Sequence, residues 1–138
     1  MKVAVITISD RASRGGYKDL SGLDIEGLIR QSFADAEITK EIVSDEREEI
    51  LAAFTQCSGA DYILTIGGTG ISLRDITPEV TEEYCDRTLA GIAEILRAES
   101  YKETKNAMLS RGYACLKWNT IIVNFTGSVK AVRLCTKT

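Results

Sequence analysis

The stretch Leu64-Thr65-Ile66-Gly67-Gly68-Thr69-Gly70 decides how this chain is read. An apolar run stops there and three glycines arrive within four residues, with Arg74-Asp75-Ile76-Thr77-Pro78-Glu79-Val80 close behind. Glycines let a chain turn sharply out of a strand, and they let backbone N–H groups come close to a phosphate. The pattern is neither GxxxxGK[ST] nor GxGxxG. Taken alone, it fits a strand-exit turn and a ligand cradle equally.

The neighbouring sequence supplies the context. Residues 3–8, 62–66 and 121–125 are short apolar runs rich in β-branched or aromatic residues, as expected for strands buried on both faces of a parallel sheet. Residues 37–43 are more polar and read as an edge strand. Helical patterns fall between these runs. Ser21 with Asp24 resembles a capping box, and Ile25, Leu28, Ile29 and Phe33 then recur at helical spacing. Asp45 with Glu48 is a second start signal. Thr77-Pro78-Glu79 is a third, with a cap residue, a proline at the first helical position and an acid in the first turn. Residues 91–111 read as a helix with a break, and a further helix is expected from Val129 onward. Strands alternating with helices indicate an α/β fold: a mostly parallel sheet between two helical layers.

Length and composition narrow the function. The chain has 138 residues, which fits one domain, with 44% hydrophobic and 27% charged residues. A net charge of −3 argues against nucleic-acid binding, and no apolar run is long enough for a membrane span. Cys57, Cys85, Cys115 and Cys135 lack CxxC spacing and are expected to be reduced, mostly buried thiols in a cytoplasmic protein. The chain contains no histidine, so Ser-His-Asp and Cys-His chemistry is excluded. Carboxylates, hydroxyls, basic side chains, backbone amides or a metal must do any work.

In open α/β sheets ligands bind beyond the carboxyl ends of the strands. Those ends bring together Ser9-Asp10, Ser44-Asp45, the segment from Gly67 through Gly68, Thr69 and Gly70 to Asp75, and Asn124 to Ser128. Asp75 reads either as a loop residue ahead of a helix cap or as a carboxylate for Mg²⁺ on a nucleotide phosphate. Asp45 reads as an N-cap or a site residue, and Ser9 and Asp10 as turn caps or ligand contacts. Arg74 suits a phosphate or a surface acid. Gly127-Ser128 precede a helix start, where anions bind readily. Ser110-Arg111-Gly112 fits a helix C-terminus.

Together these residues resemble the Mog/MoaB family of the molybdenum-cofactor pathway. The matching pieces are ISDRAS at 8–13, VSDERE at 43–48, LTIGGTGISLRDITPEV at 64–80, AMLSRGYA at 107–114 and TIIVNFTGSVKAV at 120–132. The resemblance implies a three-layer α/β/α molybdopterin-binding fold that assembles as a homotrimer. It implies adenylylation of molybdopterin by ATP, with Mg²⁺ and release of pyrophosphate, and the molybdate-insertion protein as a candidate partner. Asp45 and Asp75 match the family's essential aspartates. Gly67, Gly68, Thr69 and Gly70 match its phosphate-side loop, Ser110 and Arg111 its LSR segment, and Gly127 and Ser128 the turn near the nucleotide. Ser9, Asp10 and Asn124 are further expected contacts, and Asp75 is the expected metal ligand. The family usually reads Leu-Pro-Gly where this chain has Phe125-Thr126-Gly127, and it usually continues past the VRLCTKT ending. The alternative reading is a catalytically weak module that binds molybdopterin or a nucleotide and hands it on.

Overall fold

The computed structural model describes residues 1–13, 15 and 20–126, with the side chains of 12, 13 and 20–24 left out of account. The elements run β1 (Lys2–Ile8), α1 (Asp10–Ser13), α2 (Leu20–Ser32), β2 (Glu37–Val43), α3 (Arg47–Gln56), β3 (Tyr62–Ile66), α4 (Thr77–Tyr84), β4 (Arg87–Thr88) and α5 (Ala90–Glu103). A 3₁₀ turn (Lys105–Leu109), β5 (Ala114–Lys117) and β6 (Thr120–Phe125) complete it. The sheet order is β2-β1-β3-β6-β5-β4. The first four strands in that order are mutually parallel, and β5 pairs antiparallel with both β6 and β4.

Alternation along the strands divides the core into two layers, because successive side chains leave opposite faces of a sheet. Val3, Val5, Val123 and Phe125 pack with Ile25 and Ile29 of α2 and Ala93 of α5. Ala4, Ile6, Ile8, Ile63 and Ile122 pack on the other face with Ile50 and Phe54 of α3 and Val80 of α4. The α/β/α arrangement expected from the alternating pattern is the one observed, and β2 is an edge strand as expected. The break in the helical pattern at residues 91–111 falls at Thr104, whose hydroxyl caps the 3₁₀ turn by accepting from Asn106 N. Strands β4 and β5 are not legible in the sequence. They are two and four residues long, too short to display a period. Among the described residues no helix is long and apolar enough to cross a membrane.

Four expectations need correction. Helix α2 begins at Leu20, so Ser21 lies inside it and not at its cap. Helix α3 begins at Arg47 with Glu46 at the cap position and no side-chain capping bond, so Asp45 does not cap it. Helix α4 includes Thr77, and Ile76 stands at its cap position. In these last two cases the side chain that looked like a cap is held toward the strand ends by tertiary contacts. Cys85 and Cys115 are joined by a disulfide, contrary to the expectation of reduced thiols. Cys85 ends α4 and Cys115 faces the same layer from β5, which leaves their Cα atoms 6.1 Å apart. A separation of 30 residues carries no trace of that contact in sequence. Cys57 is a free, half-buried thiol, pushed up by burial. The helix expected from Val129 lies outside the described residues.

Candidate functional site

Because β1, β2, β3 and β6 are parallel, their carboxyl ends share one edge of the sheet. The glycine loop leaves β3 there. Gly67 N donates to Phe125 O at 3.0 Å, which ties the loop to the end of β6. Gly67 and Gly68 have φ of 101° and 72°, the left-handed region that glycine enters at little cost. Space forbids a side chain as well. A Cβ on Gly67 would overlap the Ile8 carbonyl, and one on Gly68 would overlap Thr77 Oγ1 while lying 3.3 Å from Asp45 Oδ1. The loop therefore presses its backbone onto β1, onto α4 and near Asp45. Thr77 N donates back to Gly68 O at 3.2 Å, and the fully buried Thr77 Oγ1 has no hydrogen-bond partner.

The aspartates form a linked group. Asp10 N donates to Asp45 Oδ2 at 3.1 Å, and Asp45 N donates to Asp10 Oδ1 at 3.0 Å. Arg74 spans from the glycine loop to this pair. Its Nη2 lies 2.6 Å from Asp10 Oδ2 and 3.4 Å from Glu46. Burial pushes the Asp45 carboxyl up, and the charges of Asp10 and Asp75 add to it, while the Asp10 amide and Arg74 oppose the rise. Asp75 is half-buried on the loop, and its Oδ2 accepts from Ser72 N at 3.0 Å.

Beyond the loop opens a crevice of about 600 Å³, walled on one side by Gly68, Thr69, Gly70 and Asp75. Thr104, Asn106 and Ser110 form the opposite wall, and Thr126 adjoins both. Ser9, Asp10 and Asp45 stand outside this lining; Gly68, which lines it, lies near Asp45, and Asp45 in turn exchanges hydrogen bonds with Asp10.

Arg111 holds the two walls together. Its backbone N donates to Thr69 O at 2.8 Å and its Nε to Gly70 O at 2.7 Å. Its Nη2 donates to the Asp75 carbonyl, and its Nη1 pairs with Glu79. In this structure its guanidinium shapes the loop. Asn124 is only 5% exposed, and its amide is committed to internal partners. Nδ2 donates to the hydroxyls of Thr65 and Thr81, and Oδ1 accepts from Tyr113 N. The side chain expected to contact a ligand here braces β6 against β3, α4 and Tyr113, the residue just ahead of β5. Gly127 and Ser128 lie outside the described residues. Sequence reasoning took Thr77 and Glu79 only as a helix start and passed over Thr104 and Asn106, whose common types carry no motif; only burial and position single them out.

Among the described residues no three carboxylate, cysteine or histidine side chains form a ready metal cage. Mg²⁺ does not need one, because it is usually held by one or two carboxylates together with substrate phosphates. Asp45 and Asp75 fit that role: burial above all, then the charge of Asp10 and least of all that of Asp75, raise the Asp45 carboxyl, and a divalent cation would favour its charged form.

A doubly covered, mostly parallel sheet, with a glycine loop and acidic residues at the carboxyl edge, defines an α/β protein built to hold a charged small molecule. The comparisons carry that further. The family described as "Probable molybdopterin binding domain" matches residues 4–138. The molybdopterin adenylyltransferase of Helicobacter pylori is 39% identical over 137 residues, spanning 96% of this chain and 78% of the relative. Among solved structures, the molybdopterin biosynthesis enzyme MoaB of Thermus thermophilus superposes with a TM-score of 0.85 at 37% identity, covering 97% of this chain and 86% of the other. The tungsten cofactor synthesizing protein MoaB of Pyrococcus furiosus gives 0.88 at 34% identity, covering 99% and 88%. The chain belongs to the Mog/MoaB family of molybdopterin-binding domains.

Proposed function

We propose that this protein acts in molybdenum cofactor biosynthesis as a molybdopterin adenylyltransferase, joining molybdopterin to the AMP part of ATP and releasing pyrophosphate. The observation that carries the reading is the glycine loop itself: two left-handed glycines, the second of them near Asp45, followed on the same loop by Asp75. Family membership and a relative named molybdopterin adenylyltransferase support it.

The reaction asks little covalent work of the protein. A phosphate oxygen of the pterin attacks the α-phosphorus of ATP, the bond to the β-phosphate breaks, and pyrophosphate leaves with the electron pair. Positioning and charge neutralisation dominate such transfers. Backbone amides of Gly68, Thr69 and Gly70 would face the phosphates. Asp75, with Asp45, would hold Mg²⁺, which neutralises charge on the triphosphate when bound. Asp45, close to the loop at Gly68, would orient the attacking pterin phosphate. Ser110, together with Gly127 and Ser128, would complete the substrate contacts, and Ser9 and Asp10 would support Asp45. Arg111 would keep the loop in place.

The same reading makes the protein a single cytoplasmic domain that assembles as a homotrimer and passes its product to a molybdate-insertion protein. The test is direct. Protein, molybdopterin, ATP and Mg²⁺ are incubated, and adenylylated pterin is sought by mass spectrometry, with Asp75→Asn as control. Product with wild type, and at least about a hundredfold less with Asp75→Asn at an unchanged circular dichroism spectrum, supports the assignment. Pterin binding without product would favour the carrier alternative.

A further inference from the structure

Thr126 stands where the family usually has proline, and it is one of the residues that line the crevice. Its hydroxyl is buried and has no hydrogen-bond partner. A buried hydroxyl left unpaired costs free energy, so its persistence needs a reason. Its position supplies one. Thr126 directly follows β6, whose last residue Phe125 accepts the Gly67 amide that anchors the glycine loop. It belongs to the crevice wall along with Thr69, Gly70 and Ser110. Thr126 also borders a cavity of about 20 Å³, together with Arg97, Ser100 and Gly112, with room for about one water.

The crevice is chemically uneven. Its carboxylate, Asp75, lies on the glycine-loop side, which suits phosphates and their metal. The opposite wall carries neutral amides and hydroxyls at Thr104, Asn106 and Ser110, beside the apolar Ala107 and Leu109. Neutral donors and acceptors set among apolar surface suit a flat nitrogen heterocycle, with its edge hydrogen-bonded and its face against carbon.

We propose that Thr126 is a ligand-contacting residue whose hydroxyl hydrogen-bonds an edge nitrogen or carbonyl of the fused heterocycle carried by one of the two substrates. This rests on the molybdopterin adenylyltransferase reading and adds to it a specificity contact that a proline at this position could not make. The pterin and the adenine share the relevant chemistry, and the experiment separates them.

Wild type, Thr126→Val and Thr126→Ser are each titrated by anaerobic calorimetry in two arms. One arm uses molybdopterin released from a purified molybdoenzyme. The other uses a non-cleavable α,β-methylene ATP analogue with Mg²⁺. Melting of each ligand-free protein is followed in parallel. Thr126→Val should weaken one arm about three- to tenfold and leave the other unchanged, while Thr126→Ser holds wild-type affinity in both. Relieved of its orphan hydroxyl, ligand-free Thr126→Val should melt about 3 °C higher. The arm that weakens identifies the heterocycle. Unchanged affinity in both arms, whatever the melting, would mean that the hydroxyl meets neither substrate, and would overturn the inference alone. Failure of wild type to bind either ligand would overturn the proposed function with it.

Discussion

Replacing Gly68 with alanine sets the geometry of the glycine loop against its alternative as an ordinary turn. At φ 72° a side chain makes the left-handed conformation unfavourable, by about 1–2 kcal/mol. The new Cβ would also overlap Thr77 Oγ1 and sit 3.1 Å from Thr77 Cβ. Thr77 is fully buried and cannot swing away, so the loop or the start of α4 must shift. Overpacking of this kind costs about 1–3 kcal/mol. The lower conformational entropy of unfolded alanine gives back about 0.4–1 kcal/mol. The net loss is therefore about 1–4.5 kcal/mol, large but survivable for a domain of ordinary stability. Equilibrium urea unfolding should show the midpoint falling by about 0.5 M or more. A double-mutant cycle isolates the cause. Thr77→Ala removes the overlapped oxygen, so Gly68→Ala should cost about 1–2 kcal/mol less in that background. An equal cost in both backgrounds would refute the packing argument, and a cost below about 0.5 kcal/mol in the native background would refute the whole account of the loop.

Other expectations follow from the same geometry. Burial first, then the charges of Asp10 and Asp75, raise the Asp45 carboxyl above its ordinary 3.8, so the folded protein holds a proton that the unfolded chain has already released. Stability therefore falls as pH rises through that window, and Asp45→Asn should be more stable than wild type at pH 7, with the gain fading below the ordinary value. A gain independent of pH in thermal melting would contradict this. Arg74 is exposed and paired with Asp10 and Glu46, so Arg74→Ala should change stability by less than about 1 kcal/mol. If Arg74 also meets the triphosphate, the same change should weaken ATP binding about tenfold or more, read by calorimetry. Asn124→Ala leaves the Thr65 and Thr81 hydroxyls without their shared donor and should cost about 2–4 kcal/mol in urea unfolding; a near-neutral result would sink its role as a brace.

The parallel core was readable because four strands of five to seven residues each keep their character without outside help. So was the edge on which the site lies, since parallel order alone puts Ser9, Asp45, Gly67 and Asn124 together. What misled was chemistry shared by two roles. Asp45 and Thr77 carry the side chains that cap helices, yet the first bonds across to Asp10 and the second lies beneath Gly68. Asn124 and Arg111 sit within the matching motifs but turn to Thr65, Thr81 and the loop carbonyls; burial and side-chain direction are properties of the packed molecule. The Cys85–Cys115 bond joins α4 to β5, a pairing that depends on the edge strands the pattern did not disclose.

The central claim is that the carboxyl edge of this sheet joins two substrates and does not merely hold one. Pyrophosphate release with and without molybdopterin, at saturating ATP and Mg²⁺, measures that most directly. The account expects release only when both substrates are present, one pyrophosphate for each adenylylated pterin formed, and none with Asp75→Asn. Release at the same rate without the pterin, or none while both substrates are demonstrably bound, would contradict it.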